Sequence, residues 1–334
     1  MRLIVTGGAG FIGSNFTRLV LQEHKDYRVH VLDALTYAGN LDNLAGCTND
    51  PRFKFTHGNI LDNALVHKLA EESDVIINFA AESHNDRAIL SPGEFIQTDV
   101  AGVYTLLEAA RSKGHNRFLQ VSTDEVYGSI DGGSFKEGDP LEPNSPYSAS
   151  KAGGEMQVRA FHVTYGINTL VTRGSNTFGP YQYPEKLIPL FVTNLIDDIP
   201  VPVYGDGNQV RDWFFVEDHC RAIDYVLHHG TPGEAYNVGG GNERQNIQIV
   251  QAMLSQLGKP DSLIKHVEDR PGHDKRYSLD TAKIAKLGFT ASGNFESRLA
   301  ETIDWYKNNQ SWWRAIKGRS DYQSFMQTWY KNRS

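Results

Sequence analysis

Apolar residues fall in short, nearly unbroken runs through the first half of the chain, separated by segments of helix length. The runs are Leu3-Ile4-Val5-Thr6, Val29-His30-Val31-Leu32, Phe53-Lys54-Phe55-Thr56-His57, Val75-Ile76-Ile77-Asn78-Phe79, Arg117-Phe118-Leu119-Gln120-Val121 and Asn168 to Arg173. Runs of this length, rich in β-branched and aromatic residues, read as strands, and near-continuous apolarity is what burial on both faces demands. Strand alternating with helix predicts an α/β protein built on a parallel, doubly wound sheet. A helical pattern runs from Ser14 to Glu23 directly behind the first strand.

The texture changes after Gly174. Gly179-Pro180, Tyr183-Pro184, Ile199-Pro200 and Val201-Pro202 punctuate the chain, with a helix predicted over Leu187–Ile196 between them. This stretch is expected to face a substrate. Trp213-Phe214-Phe215-Val216 and Ala235-Tyr236-Asn237-Val238 are read as returning to the sheet. The expected division is a cofactor domain over residues 1–175, to which 213–242 returns, and a smaller C-terminal α/β substrate domain over 176–334, with a cleft between them. The aromatic tail from Trp312-Trp313 to Trp329-Tyr330 reads as core of the smaller unit rather than a ligand box.

Composition narrows the function classes. At 334 residues, 40% hydrophobic and 22% charged, the chain is an ordinary globular protein, and a net charge of −7 argues against a general nucleic-acid binder. No apolar run is long enough to span a bilayer, and the chain enters its first strand at Leu3 without a basic leader. Two distant cysteines, Cys47 and Cys220, show no metal-ligand or disulfide spacing and read as thiols of a reducing compartment. The expectation is a cytoplasmic protein without membrane, nucleic-acid or metal partners.

The first turn carries a glycine pattern in the right setting. Gly7-x2-Gly10-x2-Gly13 lies directly after a strand and before a helix, which makes it a Rossmann-type dinucleotide loop rather than a chance spacing. Gly7 permits the turn, Gly10 lets backbone amides approach a pyrophosphate, and Gly13 lets helix and strand pack closely. Asp33 ends the second strand 20 residues after Gly13, where a carboxylate accepts from ribose hydroxyls and repels a 2′-phosphate, favouring NAD over NADP. Asn59-Ile60, after the third strand, is placed to line an adenine pocket, although Asn is also a common turn residue.

A second constellation carries chemistry. Tyr147 and Lys151 are four apart on a predicted helix entered by Asn144, Ser145 and Pro146, so both side chains share a face. A tyrosine of ordinary pKa near 10 needs roughly 4 kcal/mol to ionise at neutral pH. One cation about 4 Å away contributes a similar amount at an effective dielectric near 20. Tyr147 is therefore a candidate general base for a sugar hydroxyl. Thr123, closing its strand, can share that oxygen. Asp124 and Glu125 follow; neighbouring carboxylates in a closed cleft tend to divide into one acid and one base. Oxidation uses only the tyrosine set, whereas loss of water uses the carboxylates too.

With these pieces together the chain resembles the dTDP-glucose 4,6-dehydratases of the extended short-chain dehydrogenase/reductase family. The likeness covers nearly the whole chain: Ser122-Thr123-Asp124-Glu125-Val126-Tyr127-Gly128, Asp33 to Asn40, Ala80-Ala81-Glu82-Ser83-His84, Phe178 to Gln182, Pro184 to Pro189, Tyr204-Gly205-Asp206-Gly207, Val210 to Trp213, and Asp269 to Asp274. The resemblance implies that Tyr147 takes the sugar 4-hydroxyl proton while a hydride leaves C4 for NAD. Glu125 then removes the C5 proton, Asp124 protonates the departing C6 hydroxyl, and the hydride returns to C6. It implies further NAD contacts at Phe11, Ile12, Ala80, Ala81, Thr98 and Thr177. Ser83 and Thr123 would contact the hexose. Asn176, Lys186, Leu187, Tyr204, Arg211, Asn246, Arg270 and His273 would line the nucleotide-diphosphate side, where guanidinium forks suit phosphate oxygens. It also implies a homodimer paired through Val100–Arg111 and Tyr147–Tyr165.

Three positions depart from the family pattern. Asn59 stands where aspartate is common, Asn85 where an apolar residue is usual, and Thr177 where a second asparagine is frequent. All three are expected to lie outside the acid, base and hydride machinery. Two other readings stay open: a related enzyme of the same fold, either a UDP-sugar dehydratase or a nucleotide-sugar 4-epimerase, and an NAD-binding redox sensor without catalysis. A 4-epimerase has no use for Asp124 and Glu125, and a sensor has none for Tyr147 and Lys151 either.

Overall fold

A computed structural model describes residues 1–115 and 117–330. In chain order its strands are β1 Arg2–Thr6, β2 Arg28–Asp33, β3 Phe53–His57, β4 Val75–Asn78, β5 Arg117–Thr123, β6 Thr169–Gly174, β7 Asn176–Phe178, β8 Val201–Tyr204, β9 Val210–Phe215, β10 Ala235–Val238, β11 Glu243–Gln245 and β12 Ile264–Val267. Seven form one sheet in the order β3-β2-β1-β4-β5-β6-β10, every pair parallel. This is the doubly wound arrangement expected from the apolar runs, with its switch of direction between β1 and β4.

Alternation within the strands explains the two faces. Leu3 and Val5 of β1, Val75 and Ile77 of β4 and Leu119 of β5 join the core cluster holding Phe16, Val20 and Ile223. Ile4, Ile76 and Phe118, one position over, join the opposite cluster with Val103, Leu106 and Val158. The helices Phe11–Glu23 and Val216–His229 cover the first face, packed on each other. The helices Val103–Lys113 and Pro146–Tyr165 supply Val103, Leu106 and Val158 to the second.

The chain leaves this sheet after β6 and returns to it at β10. Trp213-Phe214-Phe215 does not return: β9 pairs with β7 in parallel and β11 antiparallel, forming a separate three-stranded sheet. The expected return of 213–242 is made by the helix Val216–His229 and β10. An apolar run reports burial, and the burial of Trp213 and Phe215 is satisfied in a second core with Phe178, Phe191, Phe295 and Trp313. Trp312 and Tyr330 pack against this core and Trp313 lies within it, and Tyr330 also lines a cavity described below. Residues 331–334 of the expected C-terminal region lie outside the described residues. No helix among the described residues is long and apolar enough to cross a membrane.

Candidate active site

The loop after β1 is built for close approach of backbone. Gly7 has φ +67°, and a Cβ on it would stand 2.6 Å from the Ala80 nitrogen. A Cβ on Gly13 would stand 2.4 Å from the Gly7 carbonyl oxygen, so the helix start rests directly on the loop. That helix, Phe11–Glu23, begins at Gly10 with no side-chain cap. Its first N–H groups therefore remain available to an anion at the positive end of the helix dipole. Asp33 bridges the region, accepting from the Ala9 amide at 2.9 Å and the Leu35 amide at 2.8 Å. A carboxylate has lone pairs left over for ribose hydroxyls. Asn59 Oδ1 accepts the Leu61 amide at 2.9 Å, so the turn role holds one end of its amide.

Every residue assigned to the cofactor, from Gly7 to Thr177 and including Ala80, Ala81 and Thr98, lines one cleft of about 320 Å³. An uncapped helix end, a glycine cradle and a fixed carboxylate in a single elongated cleft fit a dinucleotide. Thr177 accounts for its own departure from the pattern: its hydroxyl meets His219 Nδ1 at 2.7 Å on the cleft wall.

Tyr147, Thr123, Asp124 and Glu125 line the same cleft. Ser145 caps the helix Pro146–Tyr165 in a capping box with Ser148, which fixes the start of the turn bearing Tyr147. The half-buried Tyr147 lines the cleft with Thr123, whose hydroxyl favours the ionised phenol. Burial raises its pKa well above the ordinary value, and the charges of Glu125, Asp99 and Asp124 raise it further. Lys151 is buried and donates to the Val121 carbonyl at 2.9 Å. Burial lowers its pKa while Asp99 opposes that shift. The expected one-to-one help from lysine to tyrosine is therefore incomplete, because Asp99 shares the ammonium field. Asp99, itself pushed up to about 6 by burial against the pull of Lys151, lies on a π-helical turn, Gln97–Gly102, that no simple periodicity shows.

The two carboxylates differ in surroundings. Asp124 is buried, and burial followed by the Glu125 charge holds its pKa well above the usual carboxylate range. Its Oδ1 accepts the Thr123 hydroxyl at 3.2 Å and its Oδ2 has no protein partner among the described residues. Glu125 accepts from Asn85 Nδ2 at 2.6 Å on Oε2. Of the adjacent pair, Asp124 is buried and Glu125 half-buried.

A second cavity of about 150 Å³ adjoins the first and shares Glu125, Asn176, Glu185 and Lys186 with it. Leu187, Tyr204, Arg211, Asn246, Arg270 and His273 line it, while Ser83 lines the cofactor cleft beside Thr123. Arg211 is no surface residue. It is 4% exposed, donates to the carbonyls of Val210 and Asp274 at 2.8 Å each, and lies 4.2 Å over the Tyr277 ring. Arg270 pairs with Asp86 at 3.1 Å, and the Tyr204 hydroxyl donates to the same carboxylate at 2.9 Å. Burial, with the charges of Arg270 and Arg211, lowers His273 to about 4, and its Nδ1 meets Asp269 at 2.6 Å. Buried cations beside Asn246 Oδ1, which lacks a protein partner among the described residues, suit a diphosphate joined to a base.

Several members of the site escaped the sequence reading. Asp86, Tyr277 and Tyr330 line the second cavity, and Glu82 lines the first, raised to about 7 by burial and then by Asp99. Asn85 was expected to stand apart from the reacting groups, and the structure overturns that by bonding it to Glu125. The only available signal was its polarity at a position where an apolar residue is usual. His24, Asp224 and His228 bring metal-ligand types together, but they line neither cavity. Their rings stack at 5.1 Å, and they join the ends of the helices Phe11–Glu23 and Val216–His229.

Comparison with known proteins agrees with this geometry. The family model described as GDP-mannose 4,6 dehydratase matches residues 4–302. The dTDP-glucose 4,6-dehydratase of Actinoplanes sp. is 49% identical over 319 residues, covering 94% of this chain and 100% of its own. The crystal structure of DesIV, a dTDP-glucose 4,6-dehydratase from Streptomyces venezuelae with NAD bound, superimposes with a TM-score of 0.93 at 51% identity, over 95% of this chain and 100% of that one. The dTDP-glucose 4,6-dehydratase of Bacillus anthracis in complex with NAD gives 0.90 at 46% identity, over 95% of this chain and 100% of that one. Half-identity along almost the full length, on a fold that places Asp124, Glu125 and Tyr147 at one cleft, leaves one assignment: the chain belongs to the GDP-mannose 4,6 dehydratase family of NAD-dependent, Rossmann-type sugar-nucleotide dehydratases.

Proposed function

We propose that the protein converts dTDP-glucose to dTDP-4-keto-6-deoxyglucose, with NAD as cofactor, in deoxysugar biosynthesis. The observation that carries this reading is the placing of a buried Asp124 next to Glu125, which lines both cavities, in the cleft that Tyr147 also lines. The glycine loop, Asp33, Tyr147 and Lys151 would hold NAD along the first cavity. Bound there, NAD supplies a two-electron sink at sugar C4 and the same electrons back at C6. Tyr147, aided by Thr123, takes the proton from the 4-hydroxyl. The resulting ketone acidifies C5, and Glu125 removes that proton. Asp124 protonates the C6 hydroxyl, which leaves as water. A proton then returns to C5, so the sugar loses water with no net oxidation. Arg211, Arg270, Lys186, Asn246 and His273 hold the nucleotide diphosphate, and the smaller C-terminal unit supplies all five.

A 4-epimerase reading leaves Asp124 and Glu125 idle, and a redox sensor leaves the whole second cavity idle. The test uses dTDP-glucose carrying deuterium at C4, alongside UDP- and GDP-glucose. The expected product is a 4-keto sugar with deuterium on the new methyl group, formed fastest from the dTDP sugar. A C4 epimer, or label lost to solvent, overturns the reading. Thymine and uracil differ by one methyl group, so the preference between them is expected to be only about 10–200-fold.

The working unit is proposed to be a cytoplasmic homodimer. The helices Val103–Lys113 and Pro146–Tyr165 carry exposed apolar side chains at Tyr104 (49%), Met156 (47%), Val163 (67%) and Tyr165 (54%). Met156 and Val163 lie two turns apart on one face. Both cysteines are buried free thiols, in keeping with a reducing compartment. Placing Glu at both Met156 and Val163 is expected to weaken association by on the order of 30-fold or more. Sedimentation velocity would show the mass falling from dimer to monomer, and an unchanged mass would remove these helices from the interface.

A further inference from the structure

We infer that Asn85 is a positioning residue for the elimination step: it fixes Glu125 so that one oxygen is held by the protein and the other is left to take the C5 proton. The inference rests on the reading of Glu125 as the base.

Asn85 is 8% exposed and opens the short helix Asn85–Leu90. Both ends of its amide are used. Nδ2 donates to Glu125 Oε2 at 2.6 Å, and Oδ1 accepts the Ser145 hydroxyl at 2.6 Å. A carboxylate only accepts, so the amide NH2 faces Glu125 and its oxygen is left for the Ser145 hydroxyl, which donates to it. Ser145 is also the N-cap of the helix bearing Tyr147. The base of the second step and the base of the first are thereby tied to one frame through a single side chain. The residue ahead of Asn85 adds to this. His84 has φ +90° and ψ 109°, backbone space that non-glycine residues rarely occupy, and its ring is buried. Such a conformation persists only where surrounding structure holds it, and here it delivers Asn85 to Glu125.

The remaining neighbours cannot replace this contact. The Tyr277 hydroxyl lies 3.5 Å from the same oxygen of Glu125 but donates to Asp274 Oδ2 at 2.5 Å. Lys186, Arg211 and Arg270 attract the Glu125 charge from the second cavity. Pulled toward those cations without a short donor to hold it, the carboxylate would swing off the line to C5. A neutral amide fixes direction without adding a charge that would compete for the substrate diphosphate.

The test compares Asn85→Leu, which keeps volume and removes both bonds, Asn85→Asp, which keeps shape and the Ser145 contact but replaces the donor by an acceptor, and Glu125→Gln as reference. With dTDP-glucose, Asn85→Leu is expected to lower kcat roughly 10- to 100-fold, the loss of one hydrogen bond to a charged group. KM and NAD affinity should stay at the parent values. Reduced coenzyme should accumulate during turnover, because C4 oxidation continues while elimination lags. Asn85→Asp should be slower still. If Asn85→Leu turns over at the parent rate, or if C4 oxidation and elimination fall together, Asn85 does not position the base. Thermal melting and NAD titration identify a variant that has merely failed to fold; in that event the comparison of Asn85→Asp with Asn85→Ser decides, and equal rates for the two overturn the proposal. If Glu125→Gln itself keeps parental turnover, the reading of the site fails instead.

Discussion

Glu125→Gln is expected to leave oxidation at C4 running and to stop the loss of water. Formation of keto product should fall by about 10²–10⁴-fold, the usual contribution of a positioned general base. Reduced coenzyme, followed by its near-ultraviolet absorbance, should rise and persist. The substitution is nearly isosteric. Its amide can still offer an oxygen to Asn85 Nδ2, which holds Glu125 Oε2 at 2.6 Å in the parent, so the local frame is kept and only the basic oxygen is lost. Asp124 remains beside it, raised by burial and therefore still a proton donor; removing the Glu125 charge relieves part of the upward shift without reversing it, because burial is the larger cause. Acid and base are thus separable in this variant. Product released at the parental rate would show that the C5 proton goes elsewhere.

How much of this was legible in the sequence depends on the distance over which each feature is determined. The inner strands of the large sheet were legible because burial on both faces forces an apolar run, whereas the edge strands Phe53–His57 and Ala235–Val238 have the bounds first read from their aromatic and β-branched residues. Which sheet a run joins was not legible. Trp213-Phe214-Phe215 is as apolar as β4, yet its partners are β7 and β11, and pairing is fixed by the chain's return path rather than by composition. At the site, Tyr147 and Lys151 were legible because four residues make one helical turn. Asp99 was not, since a π-helical turn 52 residues before Lys151 brings it near. Asp86 shows the same limit: it meets Arg270 at 3.1 Å across 184 positions of sequence. Asn85 was visible only as an unexpected polar residue, and its meaning required Glu125 and Ser145 on either side of it.

Tyr147→Phe is expected to suppress the first chemical step itself. In a single turnover with dTDP-glucose, the appearance of reduced coenzyme should slow by about 10²–10⁴-fold, with substrate binding retained. The surroundings of the phenol explain why no neighbour can stand in for it. Burial and the charges of Glu125, Asp99 and Asp124 all oppose its ionisation. Lys151, held to the Val121 carbonyl at 2.9 Å, spends part of its field on Asp99. The phenol therefore ionises only as far as Thr123, Lys151 and the positive nicotinamide ring of bound NAD together permit, which confines strong basicity to the loaded site. Glu125 is bonded to Asn85 and lines both cavities; under the proposed roles its free oxygen serves C5 and not the 4-hydroxyl. Phenylalanine keeps the ring and its edge-on contact with Phe95, with centroids 6.2 Å apart, so the helix start should be undisturbed. Oxidation at the parental rate in this variant would mean that the 4-hydroxyl proton leaves by another route, and the assignment of Tyr147 would fall with it.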